Sequence, residues 1–275
     1  MTTGVLIGPR QEPELHVMSF NIRRRLAHFG RRNPDTWSYR SPAMRRLLVD
    51  EQPSILGVQE AMPDQTDFVA QALGSHYRWI GYGRNADRRG ERCPIFYDAH
   101  RLQLTEWTQW MLSDTPAVAG SRTWGNTVPR IVISARFTDR ATGTDFRFLN
   151  THLDHRSRNS RLESARMLAR LLSADDTPAL LTGDFNTSIG TEPYRQLIAD
   201  GAIDTWDAAE EHLTEEWGTF PNYHQPRHGL KRIDWILANR AVNVRSVGIN
   251  RARYKGIAAS DHLPVQAVVT FPAVS

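Results

Sequence analysis

The sequence has almost no cysteine, little lysine and no long hydrophobic run. The single cysteine, Cys93, excludes an intramolecular disulfide framework and any zinc or iron–sulfur site that needs several cysteines. No stretch approaches the roughly 20 consecutive apolar residues that a transmembrane helix requires. The first ten residues are too short and too weakly apolar to predict a signal peptide. We therefore expect a soluble cytoplasmic protein that does not associate with membranes.

Positive charge is carried almost entirely by arginine, because only Lys231 and Lys255 among the 34 basic residues are lysines. Arginine binds phosphate and carboxylate groups through its planar fork better than lysine does, although genome composition also produces such a bias. The charge is uneven as well. Residues 1–50 contain nine arginines against four acidic residues, and five of those arginines lie between positions 23 and 32. This cluster indicates contact with an anionic group.

The remaining composition is that of an ordinary globular protein, with 40% hydrophobic and 23% charged residues. No repeat is visible, and no linker rich in glycine, serine or proline divides the chain. We therefore expect one domain over residues 1–275, with a core at about 14–272. Short apolar runs alternate with amphipathic stretches, which predicts an α/β layered core.

The pattern of apolar residues predicts where the strands and helices lie. Strands are predicted at Leu15–Ile22, Ile55–Gln59, Ile95–Tyr97, Ile131–Phe137, Phe146–Asn150, Ala179–Leu181, Trp235–Leu237 and Pro264–Phe271. Helices are predicted at Ser41–Glu51, Asp64–Leu73, Ser160–Leu172 and Glu192–Asp200. Ser160 and Glu163 form a capping-box pattern at the start of the third helix.

Several predicted strands end in a polar residue that can bind a metal or transfer a proton. Taken singly, Asn21 and Asn186 are ordinary turn formers. However, Asp184 and Asn186 follow an apolar strand two positions apart, so both can point at one anion or water. Asp234 lies within an apolar strand, where an unpaired charge is costly, and needs a histidine or arginine partner. Glu60 is the best single candidate for a metal ligand, because hard divalent cations prefer carboxylate oxygen.

Six short motifs occur along the chain at or beside these strand ends. They are Ser-Phe-Asn-Ile (19–22), Val-Gln-Glu (58–60), Asn-Thr-His-Leu-Asp-His (150–155), Gly-Asp-Phe-Asn (183–186), Arg-Ile-Asp-Trp-Ile-Leu (232–237) and Ser-Asp-His-Leu-Pro-Val (260–265). In this order they resemble the endonuclease/exonuclease/phosphatase superfamily, which includes DNase I-like and exonuclease III-like nucleases, deadenylases, neutral sphingomyelinases and inositol polyphosphate 5-phosphatases. Each motif alone is weakly specific, but six in one order over residues 16–270 are strong.

The resemblance implies a DNase I-like, four-layered α/β sandwich, in which two packed mixed β-sheets are flanked by helices and the site lies at one end. It also implies a metal-dependent hydrolase that acts on phosphate ester bonds by attack of water on phosphorus. Glu60 resembles the principal Mg²⁺ ligand of the family, with Asn21 and Asp261 supporting the metal centre. Mn²⁺ is expected to substitute for Mg²⁺.

The resemblance further implies the roles of the catalytic side chains. Asp184 and Asn186 resemble the pair that orients the attacking water and contacts phosphate. His262 resembles the catalytic histidine, Asp234 its carboxylate partner, and His152 a residue that contacts the scissile phosphate. The sequence leaves open whether His262 or Asp184 accepts the proton of water, and whether one metal ion or two are bound.

Two further candidates come from the same resemblance. Glu91 lies before the Ile95–Tyr97 strand, much as a DNase I-like glutamate lies before its aromatic strand, and we expect it to orient His152. Arg130 precedes the Ile131–Phe137 strand, where DNase I-like members have an arginine that contacts phosphate. An arginine on the surface at a strand start is a nearly equal alternative for Arg130.

Three functions remain open, and each involves a phosphate-bearing partner. The first is a phosphoesterase that acts on a diester or monoester of a small metabolite, nucleotide or sugar. The second is a DNA or RNA endo- or exonuclease that uses the Arg23–Arg32 loop for backbone contact. The third is a non-catalytic binding protein, which the complete motif set disfavours. Residues 51–275 have no basic surplus, so we favour the first. No obligate protein partner is evident.

Overall fold

Two mixed β-sheets lie face to face at the centre of the molecule, and helices cover their outer faces. The computed structural model describes residues 4–27 and 33–272. Within these residues one sheet has seven strands, the other has six, and a two-stranded hairpin stands apart. No helix in the described part of the chain is both long and apolar enough to cross a membrane.

The elements follow one another along the chain in an α/β pattern. The first half contains β1 (Leu15–Asn21), α1 (Trp37–Glu51), β2 (Ile55–Gln59), α2 (Pro63–Leu73), β3 (Tyr77–Ile80), β4 (Ile95–Asp98), β5 (Leu102–Met111) and β6 (Ile131–Asp139). The second half contains β7 (Asp145–His152), α3 (Arg158–Leu172), β8 (Ala179–Asp184), α4 (Glu192–Ala199), β9 (Ile203–Asp204), α5 (Thr205–Ala208), β10 (Glu211–His212), β11 (Asp234–Ala238), β12 (Asn243–Ile249), β13 (Arg253–Tyr254), β14 (Ile257–Ala258) and β15 (Val265–Thr270).

The strand order brings distant parts of the chain together. The first sheet has the order β10-β12-β15-β1-β2-β4-β3, and the second has the order β5-β6-β7-β8-β11-β9. At the centre of the first sheet, β1 pairs parallel with β2 and antiparallel with β15. At the centre of the second, β8 pairs parallel with β7 and antiparallel with β11. The six motifs therefore meet only where both sheets are formed from distant parts of the chain.

Alternate side chains along a strand pack on opposite faces of its sheet, and these packed faces form the layers. In β1, Leu15 and Val17 belong to the core between the sheets, whereas Met18 and Phe20 pack beneath α1 and α2. Both faces of β1 are buried, which explains why its sequence is a nearly continuous apolar run. A third apolar cluster lies between the second sheet and helices α3 and α4. The predicted four-layered sandwich of two packed mixed sheets flanked by helices is confirmed.

Some element boundaries differ from those predicted. Helix α1 begins at Trp37 rather than Ser41, because the Trp37 ring packs against Phe68 of α2 with centroids 5.0 Å apart. The N-cap of α3 is Ser157, whose side chain accepts a hydrogen bond from the backbone of Ser160. The predicted capping box at Ser160 is therefore wrong, since Ser160 already lies within the helix. The strands β3, β5 and β12 were missed, because their polar residues interrupt any simple apolar run.

His16 in β1 is a buried histidine that lies away from the strand ends. Its Nδ1 donates a hydrogen bond to the carbonyl of Gly8, with a length of 2.9 Å. The nearby Glu51 carboxylate accepts the backbone N–H groups of Leu6, Ile7 and Gly8. Burial lowers the pKa of His16 to about 4, although Glu51 acts in the opposite direction. The imidazole is therefore neutral at physiological pH.

We expect the protein to lose stability as the pH falls from 6.5 towards 4. The unfolded chain takes up a proton on His16 near pH 6.5, whereas the folded chain resists protonation until about pH 4. The contribution of His16 to the free energy of unfolding is thus present above pH 6.5, at up to about 3 kcal/mol, and is lost on acidification. Urea unfolding across this window should show a shallower decline for His16→Gln than for the wild type. Equal declines would contradict the prediction.

Candidate active site

The ends of six strands meet at one edge of the packed sheets. The carboxyl ends of β1, β2, β7 and β8 lie there, together with the amino ends of the antiparallel strands β11 and β15. The register places Asp184 directly opposite His152 on one side and Asp234 on the other. In the other sheet, Asn21 pairs with the residue that precedes Glu60. Residues far apart in sequence therefore come together through strand pairing.

A cavity of about 360 Å³ opens at this edge, and apart from Val128 and Phe220 its lining is polar or charged. Eight of the predicted site residues line it: Glu60, Glu91, Arg130, His152, Asp184, Asn186, Asp261 and His262. Asn21 and Asp234 are fully buried and do not line the cavity. Each forms a hydrogen bond with a residue that does, Asn21 with Asp184 and Asp234 with His262. The structure thus brings the whole predicted set into one region.

His262 and Asp234 form a buried pair at the back of the cavity. The Nδ1 of His262 donates a hydrogen bond of 2.9 Å to Oδ2 of Asp234. Burial lowers the pKa of His262, but Asp234 and Asp184 outweigh burial and raise it to about 10. His262 is therefore protonated at neutral pH, and Asp234 has the histidine partner that its place in an apolar strand requires.

Asp184 lies between this pair and the other sheet. Its Oδ1 accepts the backbone N–H of Asn186 at 2.9 Å, and its Oδ2 accepts Nδ2 of Asn21 at 2.9 Å. Nε2 of His262 lies 3.8 Å from the same Oδ2. Burial and the neighbouring Asp234 raise the pKa of Asp184 to about 7. Asp184 can therefore gain or lose a proton at neutral pH, whereas His262 holds its proton.

Glu60 follows β2 in a left-handed backbone conformation, with φ of 62°, that a non-glycine residue seldom adopts. Its Oε1 accepts Nδ2 of Asn21 at 3.1 Å, and its Oε2 accepts the backbone N–H of Arg24 at 3.1 Å. Burial opposes ionisation of Glu60, but the Arg24 amide, His262 and Asn21 together hold its pKa below the usual value. Glu60 is therefore ionised at neutral pH, and its carboxylate can bind a cation.

The donor groups fit a hard divalent cation. Ligand atoms of Glu60, His152 and Asp184 all lie within 4.8 Å of one another, and so do those of Asp184, Asp234 and His262. Burial and Asp234 raise the pKa of Asp184 to about 7, and burial and Glu60 raise the pKa of Asp261, so a bound cation would stabilise the ionised form of each. Carboxylate oxygens, such as those of Glu60, are the donors that Mg²⁺ and Mn²⁺ prefer, whereas imidazole suits softer transition metals. Asp261, expected in the metal site, belongs to neither group of close ligand atoms.

His152 and Asn186 form the second side of the cavity. Nδ2 of Asn186 donates hydrogen bonds to Nε2 of His152 at 2.9 Å and to the carbonyl of Leu153 at 3.0 Å. Burial and the positive charges of Arg130 and Arg84 lower the pKa of His152 well below its usual value. His152 is therefore neutral. Because its Nε2 accepts the hydrogen bond from Asn186, its proton lies on Nδ1. The amide oxygen of Asn186 takes part in neither of the two bonds.

Glu91 does not orient His152, contrary to the expectation from the sequence. Its carboxylate binds both terminal nitrogens of Arg84, at 2.7 and 2.8 Å, and the Nη1 of Arg24 at 2.9 Å. No hydrogen bond joins Glu91 to His152 within the described part of the chain. Two guanidinium groups already take up the oxygens of Glu91, so its carboxylate joins the loop after β1 to the loop before β4.

Arg130 is only 3% exposed, yet it lines the cavity. Its Nε lies 3.4 Å from Oδ2 of Asp154, and its Nη2 donates to Nδ1 of His155 at 3.1 Å. Its Nη1 is buried and has no hydrogen-bond partner among residues 4–27 and 33–272. The buried position excludes the alternative of an ordinary surface arginine and leaves a spare donor beside His152.

Comparison with known proteins adds to this geometry. The model of the Endonuclease/Exonuclease/phosphatase family matches residues 18–262. The chain belongs to this family. A family member from Bacteroides thetaiotaomicron is 29% identical, with a TM-score of 0.87 over 96% of this chain and 100% of that one. A mannosyl-6-phosphatase from Bacteroides thetaiotaomicron VPI-5482 is also 29% identical, with a TM-score of 0.83 over 94% of this chain and 100% of that one.

Curated relatives are matched over only part of their length. Nocturnin of Drosophila melanogaster is 29% identical over 180 residues, which is 60% of this chain and 26% of that protein. The chain spans 62% of a second curated relative. These matches therefore support membership of the endonuclease/exonuclease/phosphatase family rather than the activity of either whole protein.

The structure adds cavity residues that the motifs did not identify. Arg23 and Arg24 line the cavity directly after Asn21, where the sequence showed only a basic cluster. Arg84 and Phe220 line it from loops that carry none of the family motifs, so no local signal could have found them. The ring of Phe220 is 44% exposed, and its centroid lies 4.7 Å from that of His262. Phe220 thus forms an apolar rim of the cavity beside His262.

Proposed function

We propose that this family member is a divalent-metal-dependent phosphoesterase that hydrolyses the phosphate ester of a small phosphorylated metabolite. The observation that carries the proposal is the meeting, in one cavity, of a protonated histidine, a carboxyl group that titrates near neutral pH and a glutamate whose pKa is held below its usual value. These are His262, Asp184 and Glu60. Together they offer charge stabilisation, proton acceptance and cation binding, which are the requirements of phosphoryl transfer to water.

Glu60, with the side chains of Asn21 and Asp261 beside it, would hold the divalent ion, which leaves the carboxyl group of Asp184 for proton transfer. Mg²⁺ is the expected ion, with Mn²⁺ as a substitute. When bound, such an ion supplies a Lewis acid that withdraws electron density from a phosphoryl oxygen.

Asp184 is the group that accepts the proton of the attacking water. His262 cannot do so at neutral pH, because its pKa of about 10 keeps it protonated, whereas the pKa of Asp184 is about 7. Nε2 of His262 instead donates to the phosphoryl oxygens, where negative charge accumulates as water attacks phosphorus. Arg130 holds the phosphate on the opposite side through Nη1, and Asn186 positions His152 there through its amide.

The size and charge of the cavity favour a small substrate. A volume of about 360 Å³ lies near the lower end of the range for small-molecule sites. The similarity to a mannosyl-6-phosphatase over 94% of this chain supports a sugar phosphate as the first substrate class to examine. Phe220 and Val128 then provide the apolar surface against which the carbon skeleton packs.

A nuclease is the second candidate, and the basic cluster is the observation that favours it. Three of its arginines already bind carboxylates: Arg23 pairs with Asp35, Arg24 with Glu91 and Arg25 with Asp64. Arg31 and Arg32 lie outside the described residues. The ion pairs leave less free positive charge for a nucleic acid backbone than the sequence indicated.

A panel assay with Mg²⁺ or Mn²⁺ tests the proposal. It compares sugar phosphates, nucleotides, p-nitrophenyl phosphate, bis-p-nitrophenyl phosphate, DNA and RNA. We expect hydrolysis of a small ester, and we expect Arg130→Met to lower kcat/KM for it by about 10²-fold or more, because a buried phosphate donor is lost. Arg136→Met is the matched control, since Arg136 pairs with Asp175 at the surface. Cleavage of DNA or RNA alone would establish the nuclease instead.

A further inference from the structure

Arg23 is held in a defined position two residues after the candidate metal-site residue Asn21. Its backbone has a φ of 54°, in the left-handed region that non-glycine residues seldom adopt. Nη1 of the buried Arg40 donates to the carbonyl of Ile22 at 2.6 Å, and Nη2 of Arg40 donates to the carbonyl of Arg23 itself. Nε2 of Gln65 donates to the same carbonyl at 2.9 Å. Buried donors from two helices therefore maintain an unfavourable backbone conformation at Arg23.

The side chain of Arg23 is fixed as firmly as its backbone. Its Nε and Nη2 donate to the two carboxylate oxygens of Asp35, at 3.1 and 3.0 Å. The hydroxyl of Tyr223 donates to Oδ1 of Asp35 at 2.7 Å and so orients the carboxylate. Such a two-point contact restricts rotation of the guanidinium far more than a single ion pair does.

The fixed guanidinium also faces the candidate metal ligands. Its Nη1 lies 3.9 Å from Oε2 of Glu60, and its Nε lies 3.6 Å from Oδ2 of Asp261. Neither contact is a hydrogen bond, so both carboxylates keep their capacity to bind a cation. The positively charged guanidinium of Arg23 thus lies beside the carboxylates of both Glu60 and Asp261.

We propose that Arg23 is a fixed cation of the metal centre and limits that centre to a single divalent ion. The inference rests on the proposed function, because it requires that Glu60 binds a divalent ion. Two-metal sites hold their ions roughly 3.5–4 Å apart and share carboxylates between them. Here one charge is already supplied by Arg23, so a second dication near Glu60 and Asp261 meets electrostatic repulsion in a partly buried site.

The same segment provides a matched control. Arg25 lies two residues after Arg23 and also forms an ion pair, with Asp64. Both side chains of that pair are half exposed, with 52% and 50% of their surface accessible, and neither lines the cavity. Removal of the Arg25 charge changes the net charge of the protein equally but leaves the metal centre untouched.

Counting bound Mn²⁺ tests the inference without reference to activity. The full-length protein, freed of metal with a chelator, is titrated with Mn²⁺ by calorimetry and by the electron paramagnetic resonance signal of free Mn²⁺. We expect one ion per chain in the wild type, in Arg25→Met and in the charge-preserving Arg23→Lys. We expect two ions in Arg23→Met, with the first bound about tenfold more tightly. Arg23→Gln replaces Arg23→Met if the latter does not fold.

Two outcomes would overturn the inference while the proposed function stands. One is a wild type that binds two Mn²⁺ ions, which can be observed even if no variant folds. The other is an uncharged variant at position 23 that binds one ion with the affinity of the wild type. A wild type that binds no Mn²⁺, or binding that persists in Glu60→Gln, would remove the metal site and the proposed function together.

Discussion

Glu60→Gln is expected to lower Mg²⁺-dependent kcat/KM by about 10³-fold or more and to abolish tight binding of Mn²⁺. The amide keeps an oxygen that can accept the backbone N–H of Arg24, now 3.1 Å from the carboxylate, so the turn after β2 is retained. What is lost is the negative charge that attracts the cation. Steady-state hydrolysis and Mn²⁺ titration on the same preparation measure both effects.

A second glutamate, outside the cavity lining, provides the control for this result. Glu163→Gln changes a surface residue of α3 that pairs with Arg166, and its activity and metal binding should match those of the wild type. Thermal unfolding of both variants establishes that the fold is intact. Activity close to that of the wild type in folded Glu60→Gln would remove Glu60 from the metal centre.

His262→Gln is expected to lower kcat by about 10²- to 10⁴-fold, because the group that stabilises charge on the phosphoryl oxygens is removed. Asp234→Asn should have a smaller effect at neutral pH, since its partner His262 remains. The double variant should be no slower than His262→Gln, because Asp234 acts only through His262. Single-turnover rates for the three variants measure this non-additivity.

The pH profile gives the second half of this prediction. Asp234 is the strongest of the groups that raise the pKa of His262 to about 10. In Asp234→Asn the pKa of His262 falls, so the protonated form is lost at lower pH and the alkaline limb of kcat moves down the pH scale. His100→Gln, which changes an exposed histidine, should leave the profile unchanged. An alkaline limb that stays in place in Asp234→Asn would contradict the assignment of His262 as the protonated group.

The candidate site could be predicted from the sequence because its residues share one local property. Each lies at or near one end of an apolar strand, as Asn21 does at the end of β1 and Asp234 at the start of β11. A strand that is buried on both faces is mostly apolar, so polar residues concentrate at its ends. The order of these residues along the chain then identified the family, and the family implied the four-layered fold.

The interactions of Glu91 could not be predicted in this way. Its position before β4 indicated a role beside His152, but two guanidinium groups bind its carboxylate. One of them, Arg84, lies seven residues away, and the other, Arg24, approaches from the loop after β1. Which cation reaches a carboxylate depends on the path of two loops, and no local pattern encodes that path.

The sequence by itself determined the core strands, the polar residues at their ends and the family to which the chain belongs, because these depend on burial and on the order of short motifs. Only the tertiary structure decided the protonation states of His262 and Asp184 and the place of Arg23 against Glu60. A pKa depends on charges within a few ångströms, and strand pairing brings those charges together from separate segments of the chain. The single cysteine excluded a disulfide framework and multi-cysteine metal sites, but folding arranged the arginines around this site.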